Sequence, residues 1–300
     1  MCRLFGFRSV IPSQVHTSLM SADNALMVQS ERHPDGWGVA YYVAGAPHLI
    51  KSASTAIQDS LFQHVSGVVS SETVIAHLRK ATQGELSIIN THPFQYGSWV
   101  FAHNGNLRNF SEHRDELRAK IAPKLKRFIL GGTDSEVLFY LILTHLERRV
   151  ELHRAGVSIE DAVAAIQETV EEVCEIVGDY SHDDSCGPYE TYLSFILSNG
   201  QMMLAHQGGQ QLFYSTYKHK CSVSHMCPSY GKECESPTEK GFINHMIFSS
   251  EPLQGENVWV RMVPGQIIGV DWRMQVGRFG TEVPMGENIV SFADAQSEIR

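Results

Sequence analysis

The order of the predicted elements indicates an α+β fold in which helices cover the faces of sheets. The amino-terminal part contains apolar and aromatic segments typical of short strands, at residues 2–10, 39–44, 73–79 and 96–102. Helical patterns follow at about 112–127, 135–149 and 158–177. After residue 189, short apolar segments predict antiparallel strands near 191–198, 201–206, 210–216, 243–249, 257–263 and 266–272. Strands, then helices, then strands is the order expected of a layered α+β protein.

Local signals predict where the first elements begin and end. The strand at 2–10 contains Leu4 and two phenylalanines and stops before Pro12-Ser13. Ser13 can cap a helix over 14–30, in which apolar residues recur on one face. A short helix near 56–66 is predicted in the same way. The dipeptide Asn104-Gly105 is typical of a tight turn, which predicts that the strand at 96–102 ends there.

The composition describes an ordinary globular chain. It has 300 residues, of which 43% are hydrophobic and 19% charged, and it contains no internal repeat or linker. We therefore expect one domain over residues 1–300. The formal net charge of −9 argues against a nucleic-acid partner. No apolar stretch approaches the length of a membrane span, and no signal peptide is recognisable, so we expect a cytoplasmic protein with no membrane partner.

The most informative residue is Cys2, which directly follows Met1. Removal of Met1 would leave a thiol and a free α-amine on one residue. The reference pKa of an α-amine is about 7.7–8.0 and that of a thiol about 8.5, so the amine can accept the thiol proton near neutral pH. The simpler interpretation is that Cys2 is a small buried residue opening the first strand. The six cysteines are too few for a disulfide scaffold.

Four polar clusters lie at or beside the ends of predicted strands, where scaffolds often present reactive groups. Taken one at a time, each has an ordinary structural explanation, such as a helix cap at Asp134 or a surface cation at Arg79. The clusters are His77-Leu78-Arg79-Lys80-Ala81-Thr82, Thr91-His92-Pro93-Phe94, His103-Asn104-Gly105-Asn106 and Gly132-Thr133-Asp134-Ser135-Glu136.

Together with Cys2, these ordered clusters resemble the class II glutamine amidotransferase family, also called N-terminal-nucleophile glutaminases. The resemblance covers residues 2–136 and extends more weakly to residues 249–253. It is strongest to the free-standing branch, which includes relatives that hydrolyse γ-glutamyl amides. The resemblance implies the four-layer αββα sandwich of the N-terminal-nucleophile hydrolases. It also implies an N-terminal cysteine amidohydrolase that needs no cofactor and no metal.

The resemblance also implies the chemical roles. Cys2 matches the nucleophile that forms a thioester with the substrate. Asn104, through its side-chain amide, and Gly105, through its backbone N–H, match the two donors that stabilise the oxyanion. Arg79 is similar in placement to the arginine that pairs with the substrate α-carboxylate, and Asp134 to the aspartate that receives the α-ammonium group.

Two further residues, Thr82 and His92, fall on family positions near the substrate. The chain also departs from the family pattern, because Lys80 and Gln83 stand where several members have Trp and His. These differences concern the shape of the substrate pocket. The segment 35–38, Asp-Gly-Trp-Gly, resembles a glycine turn of the family that we interpret as structural.

The sequence leaves several functions open. The first is hydrolysis of glutamine to glutamate and ammonia, with a separate synthase as the ammonia acceptor. The second is hydrolysis of another γ-glutamyl compound. A third is a non-catalytic subunit, or an interaction module that binds zinc through residues of the Cys221, His225, Cys227 and Cys234 stretch. The spacing of that stretch matches no common zinc framework, so we expect ordinary thiols there.

Overall fold

The computed structural model describes residues 2–154, 156–184, 187–283 and 285–290. The strands are β1 Arg3–Gln14, β2 Trp37–Val43, β3 Ala46–Ser52, β4 Ser70–Leu78, β5 Phe94–Tyr96, β6 Trp99–Asn106, β7 Tyr192–Ser198, β8 Met203–His206, β9 Phe213–Ser215, β10 Gly241–Phe242, β11 His245–Ser249, β12 Trp259–Arg261, β13 Gln266–Val270, β14 Gln275–Gly280 and β15 Ile289–Val290. The α-helices are α1 Leu26–Gln29, α2 Ser60–Val68, α3 Phe110–Lys120, α4 Pro123–Lys126, α5 Asp134–Glu147 and α6 Ile159–Val177.

The strands form two sheets whose pairs are antiparallel. The first sheet has eight strands in the order β15-β12-β9-β11-β1-β4-β2-β3. The second has seven strands in the order β10-β14-β13-β8-β7-β6-β5. The strand that follows Cys2 is therefore central in the first sheet, whereas β6, which carries Asn104 and Gly105, lies near one edge of the second.

Three hydrophobic cores hold the layers together. Between the sheets, side chains such as Leu4 and Ile75 of the first sheet pack with Val100 and Ile196 of the second. The outer face of the second sheet packs against α3, α5 and α6. The outer face of the first sheet is covered by α2 and by apolar residues of the segment that follows β1. Helix, sheet, sheet, helix is the four-layer αββα arrangement, so the predicted α+β sandwich is confirmed.

The helix predicted over 14–30 is wrong. β1 continues to Gln14, a π-helical turn follows at Thr17–Ser21, and α1 is a single turn. Pairing with β4 resumes beyond a register shift at Ser13 and Gln14, so β1 extends four residues past the predicted strand. The apolar residues that suggested the helix are nonetheless buried, including Val15, Leu19 and Leu26.

The turn predicted at Asn104-Gly105 is also wrong. β6 runs through both residues and pairs with β7 as far as Asn106, opposite Tyr192. A Cβ atom on Gly105 would lie 2.0 Å from His103 Nε2 and 2.2 Å from the Tyr192 carbonyl oxygen. Glycine is therefore required there by a close approach of neighbouring groups within the sheet, and not by a turn.

The remaining helices follow the sequence closely. α5 and α6 lie within two residues of the predicted bounds, and Thr133 and Ser158 accept hydrogen bonds from the first turns as N-caps. The pattern over 112–127 is divided into α3 and α4, because Pro123 begins a new helix after the extended residue Ile121. In the described part of the chain, no helix is long and apolar enough to cross a membrane.

Candidate active site

A small cavity between the two sheets collects most of the residues that the sequence singled out. Its volume is about 20 Å³, which is room for roughly one water molecule. Cys2 enters from the start of β1, residues 79–83 from the end of β4, Gly105 from β6, and Asp134 from the first turn of α5. The lining residues are Cys2, Arg79, Lys80, Ala81, Thr82, Gln83, Asn90, His92, His103, Gly105, Thr133, Asp134 and Ser135.

The Cys2 sulfur is held by the backbone of Lys80. The sulfur lies 3.4 Å from the Lys80 carbonyl oxygen, to which the thiol donates, and it accepts from the Lys80 N–H at 3.3 Å. Burial raises the pKa of the thiol, while the Lys80 N–H and the charge on Arg79 act in the opposite direction. Because the net shift of the pKa is upward, the resting thiol needs a base before it can act as a nucleophile.

The segment at 249–253 anchors the strand that carries Cys2. Ser250 accepts from the Leu4 N–H through its hydroxyl at 2.8 Å and donates its own N–H to the Leu4 carbonyl at 3.0 Å. Glu251 pairs with Arg3 at 3.5 Å, and Arg3 also donates to the Cys2 carbonyl. The weak resemblance near the end of the sequence therefore corresponds to residues that position the amino-terminal segment.

Arg79 is buried and engaged by the loop that follows it. Its guanidinium donates to the carbonyl oxygens of Gln83 at 2.9 Å, Glu85 at 3.1 Å and Gly84 at 3.4 Å. Burial lowers the pKa of this group, and the nearby Cys2, Asp35 and Asp134 act against that effect. The guanidinium is therefore already engaged by backbone carbonyls at the edge of this cavity.

Asp134 is the first residue of α5 and is 2% exposed. Its carboxylate accepts from the backbone N–H groups of Leu107 and Ser135, each at 2.8 Å. Thr133 caps the same helix turn through the Glu136 N–H. These bonds fix a carboxylate at the cavity wall, where it can bind a cationic group.

The two predicted oxyanion donors lie side by side on β6. Gly105 lines the cavity, whereas Asn104 is buried next to it and is not among the lining residues. The Oδ1 atom of Asn104 has no hydrogen-bond partner in the part of the chain that the structure describes. Thr82 is exposed at the cavity rim, and His92 is buried in its wall. The fold therefore brings Cys2, Arg79, Thr82, His92, Gly105 and Asp134 to one cavity.

The chain matches the family model of class II glutamine amidotransferases over residues 1–277. It belongs to that family. A Haemophilus influenzae protein named as a glutamine amidotransferase is 28% identical over 276 residues, which is 89% of this chain and 83% of that protein. The γ-glutamyl-hercynylcysteine sulfoxide hydrolase of Mycobacterium tuberculosis strain CDC 1551 is 33% identical over 117 residues, 35% of this chain and 49% of that one.

Solved structures agree on the fold. A class II glutamine aminotransferase domain protein from Silicibacter pomeroyi superposes with a TM-score of 0.61 at 21% identity, covering 93% of this chain and 98% of that protein. The H. influenzae relative is matched over most of its length, so this amidotransferase resembles the free-standing members, as the sequence predicted.

Two buried histidines, His92 and His103, line the cavity, and a third, His77, contacts both of them. His103 faces the Tyr192 carbonyl with Nε2, which must carry the proton, and its Nδ1 lies 3.0 Å from the Ser135 hydroxyl, which also lies within hydrogen-bond distance of Asp134, at 3.2 Å. His77 donates from Nε2 to the His103 carbonyl at 3.1 Å. The His92 ring contacts the His77 ring at a tilt of 39°, with 4.2 Å between the ring centroids. Among the described residues, neither ring nitrogen of His92 has a hydrogen-bond partner. Burial lowers the pKa of all three, so they are neutral near pH 7.

Sequence reasoning missed Asn90 as a component of this amidotransferase site. Its amide donates to the Glu85 carbonyl at 3.0 Å and accepts from the Gly132 N–H at 2.9 Å, so it connects the loop after Arg79 to the turn before α5. The signal was its position directly before the Thr91-His92 cluster. Ser135 belongs to one of the four polar clusters, but the sequence predicts no role for it.

The cysteine stretch considered for zinc lies elsewhere in this amidotransferase. Asn244 donates to the Cys234 sulfur at 3.1 Å, and the Cys221 N–H donates to Glu235 at 2.7 Å. Within the described ranges, no three His, Cys, Asp or Glu residues are grouped so that they could hold a metal ion.

Proposed function

We propose that this protein hydrolyses the side-chain amide of glutamine through a thioester on Cys2, giving glutamate and ammonia. The single observation that supports this most strongly is the placement of the Cys2 sulfur in one cavity with Arg79, Gly105 and Asp134. A nucleophile, two opposite charges for an amino acid and a backbone donor are the components that the reaction needs.

The first step requires removal of Met1, which frees the α-amine of Cys2. The amine takes the thiol proton, and the thiolate attacks the amide carbon of the substrate. The raised pKa of the thiol makes this internal base necessary at neutral pH. The proton then passes to the leaving nitrogen, which departs as ammonia. Water attacks the thioester by the same route and releases glutamate.

The tetrahedral intermediates carry negative charge on the former carbonyl oxygen. In the proposal, the Asn104 amide and the Gly105 N–H donate to this oxygen. Both belong to one rigid strand paired with β7, so no reorganisation is needed when the charge develops. The neutral histidines behind them exclude water without adding competing charge.

Arg79 and Asp134 would bind the substrate α-carboxylate and α-ammonium groups, with Thr82 and His92 beside them. For this to happen, the loop carbonyls of Gln83, Gly84 and Glu85 have to release part of the guanidinium. Substrate binding is therefore coupled to movement of this loop.

A second candidate is hydrolysis of another γ-glutamyl amide. This candidate is supported by the similarity to the M. tuberculosis hydrolase, whose name states a γ-glutamyl substrate. Both reactions use the same thioester, and they differ in the amine that leaves. If glutamine is the substrate, a separate synthase would consume the ammonia.

The test is ammonia and glutamate release from glutamine, with protein of verified mass lacking Met1 and a Cys2→Ala variant. We expect activity in the processed protein and none in Cys2→Ala. Activity on a γ-glutamyl peptide but not on glutamine would favour the second candidate. Turnover that persists in Cys2→Ala, or in protein that retains Met1, would refute the mechanism.

A further inference from the structure

Asp35 is half-buried and lies beside residues 79–81, the segment that holds the Cys2 sulfur. The Asp35 N–H donates to the Arg79 carbonyl at 3.1 Å, and the Gly36 carbonyl accepts from the Arg79 N–H at 2.8 Å. The Asp35 carboxylate then accepts from the Ala81 N–H at 2.8 Å. Asp35 therefore contacts the backbone on both sides of Lys80, the residue that contacts the sulfur.

Two peptide groups connect Asp35 to Cys2. The Arg79–Lys80 peptide accepts from the Asp35 N–H at its oxygen and donates to the Cys2 sulfur from its nitrogen. The Lys80–Ala81 peptide donates to the Asp35 carboxylate from its nitrogen and faces the thiol with its oxygen. In each peptide, one end is held by Asp35 and the other end contacts the nucleophile. Hydrogen bonds arranged in such chains polarise and orient one another.

We propose that Asp35 is a positioning residue for Cys2, acting through these two peptide groups. The inference rests on the proposed function, in which Cys2 is the nucleophile. Asp35 itself is not among the residues that line the cavity, so it acts on the sulfur only through the backbone. The segment 35–38, which the sequence suggested was structural, thereby acquires a role in the reaction.

The physical effect is on geometry. The Ala81 N–H donates to the side chain of Asp35, and not to its backbone. Loss of this hydrogen bond frees the Lys80–Ala81 peptide to rotate. Displacement of a reacting group by about 1 Å can lower a rate by roughly 100-fold. We therefore expect the chemical step to slow while substrate binding, which uses other groups, changes little.

The experiment compares D35A, D35N and a control, D271A, in the full chain. Asp271 is also a half-buried carboxylate that accepts from backbone N–H groups, those of Arg273 at 2.9 Å and Gln275 at 2.8 Å, but it lies in the turn between β13 and β14, outside the cavity. The measurements are kcat and KM for the turned-over substrate, the melting temperature, and the rate of Cys2 alkylation by iodoacetamide between pH 6 and 9. Peptide mapping assigns the alkylated cysteine.

We expect D35A to lower kcat by about 10- to 100-fold and to keep KM within about threefold of the wild-type value. We also expect it to slow the alkylation of Cys2 or to shift the pH dependence of that rate. D35N can still accept from the Ala81 N–H, so it should recover most of both rates. D271A should lower the melting temperature and leave both rates unchanged. An effect of D35A that appears only in the melting temperature, or equal losses in D35A and D271A, would overturn the proposal.

The alkylation rate separates this inference from the proposed function, because it requires no substrate. If wild-type protein fails to hydrolyse any γ-glutamyl compound but D35A still alters Cys2 alkylation, the proposed function fails and the positioning role stands. If the wild type is active and D35A alkylates and turns over normally, the positioning role fails alone.

Discussion

At the scale of single residues, close contacts decide which side chains a position in the candidate site can tolerate. Gly105 tolerates no side chain, because a Cβ atom would overlap His103 and the Tyr192 carbonyl. Asn104 is buried beside it, and its Oδ1 atom has no hydrogen-bond partner among the described residues. This oxygen is an acceptor, so in the proposal the oxyanion is bound by the amide nitrogen and not by the unpartnered atom.

Replacement of Asn104 by alanine should lower kcat by about 10²- to 10³-fold, because one donor to the oxyanion is lost. The rate of Cys2 alkylation should not change, since the thiol contacts Lys80 and not Asn104. Steady-state kinetics and mass spectrometry check the two expectations. N199A is a matched control, since Asn199 is buried and bonds Gln201 and Met202 in the β7–β8 turn. Unchanged kcat in N104A would remove the oxyanion assignment.

At the scale of elements, the first turn of α5 couples helix stability to the site. Thr133 caps the turn, and Asp134 forms the cavity wall one residue later. Asn90 ties this turn to the loop that occupies Arg79. Arg79 and Asp134 are the two charged residues proposed to bind the substrate. The hydrogen bonds of Asn90 and Thr133 therefore connect the segments that carry them.

A Thr133→Ala change should lower the free energy of unfolding by about 1 kcal/mol, as the loss of an N-cap usually does. It should also raise KM, because the turn that carries Asp134 loses a constraint. S158A is the matched variant, since Ser158 caps α6 through the Asp161 N–H, away from the cavity. Urea unfolding and kinetics distinguish the two. Equal KM values in T133A and S158A would show that Asp134 is positioned without the cap.

At the scale of the whole molecule, burial of histidines sets the acid stability. Burial lowers the pKa of His33, His206 and His245 to about 4 and that of His77 to about 3. In the unfolded chain the pKa of each is about 6.5. Above that pH the groups are neutral in both states. Below it the unfolded chain binds protons first, so stability is lost as the pH falls from about 6.5 toward 4.

Each such histidine contributes a slope of up to about 1.4 kcal/mol per pH unit within that window. The free energy of unfolding should therefore fall steeply below pH 6, which urea titrations at a series of pH values can measure. H206N keeps a donor toward the Leu193 carbonyl, which His206 Nδ1 contacts at 2.8 Å, and should reduce the slope by about one histidine's share. A stability that stays constant from pH 7 to pH 5 would contradict this account.

The sequence by itself determined the layered α+β class, the long helices and the family. These follow from local signals, such as the apolar stripe and Ser158 cap of α6, and from the ordered clusters around Arg79 and Asp134. The candidate residues were also identifiable, because their side-chain chemistry and order along the chain suffice for a resemblance. Six of the seven, all except Asn104, line one cavity, and their roles stay predictions.

Only the tertiary structure decided how those residues are held. Pairing with β4 extended β1 to Gln14, beyond the strand that the sequence predicts, and pairing with β7 carried β6 straight through Asn104-Gly105. The contacts of Asp35, Asn90 and Ser250 join segments far apart in the chain. Hydrogen bonds of this kind involve backbone groups, which every residue possesses, so no pattern of side chains in the sequence announces them.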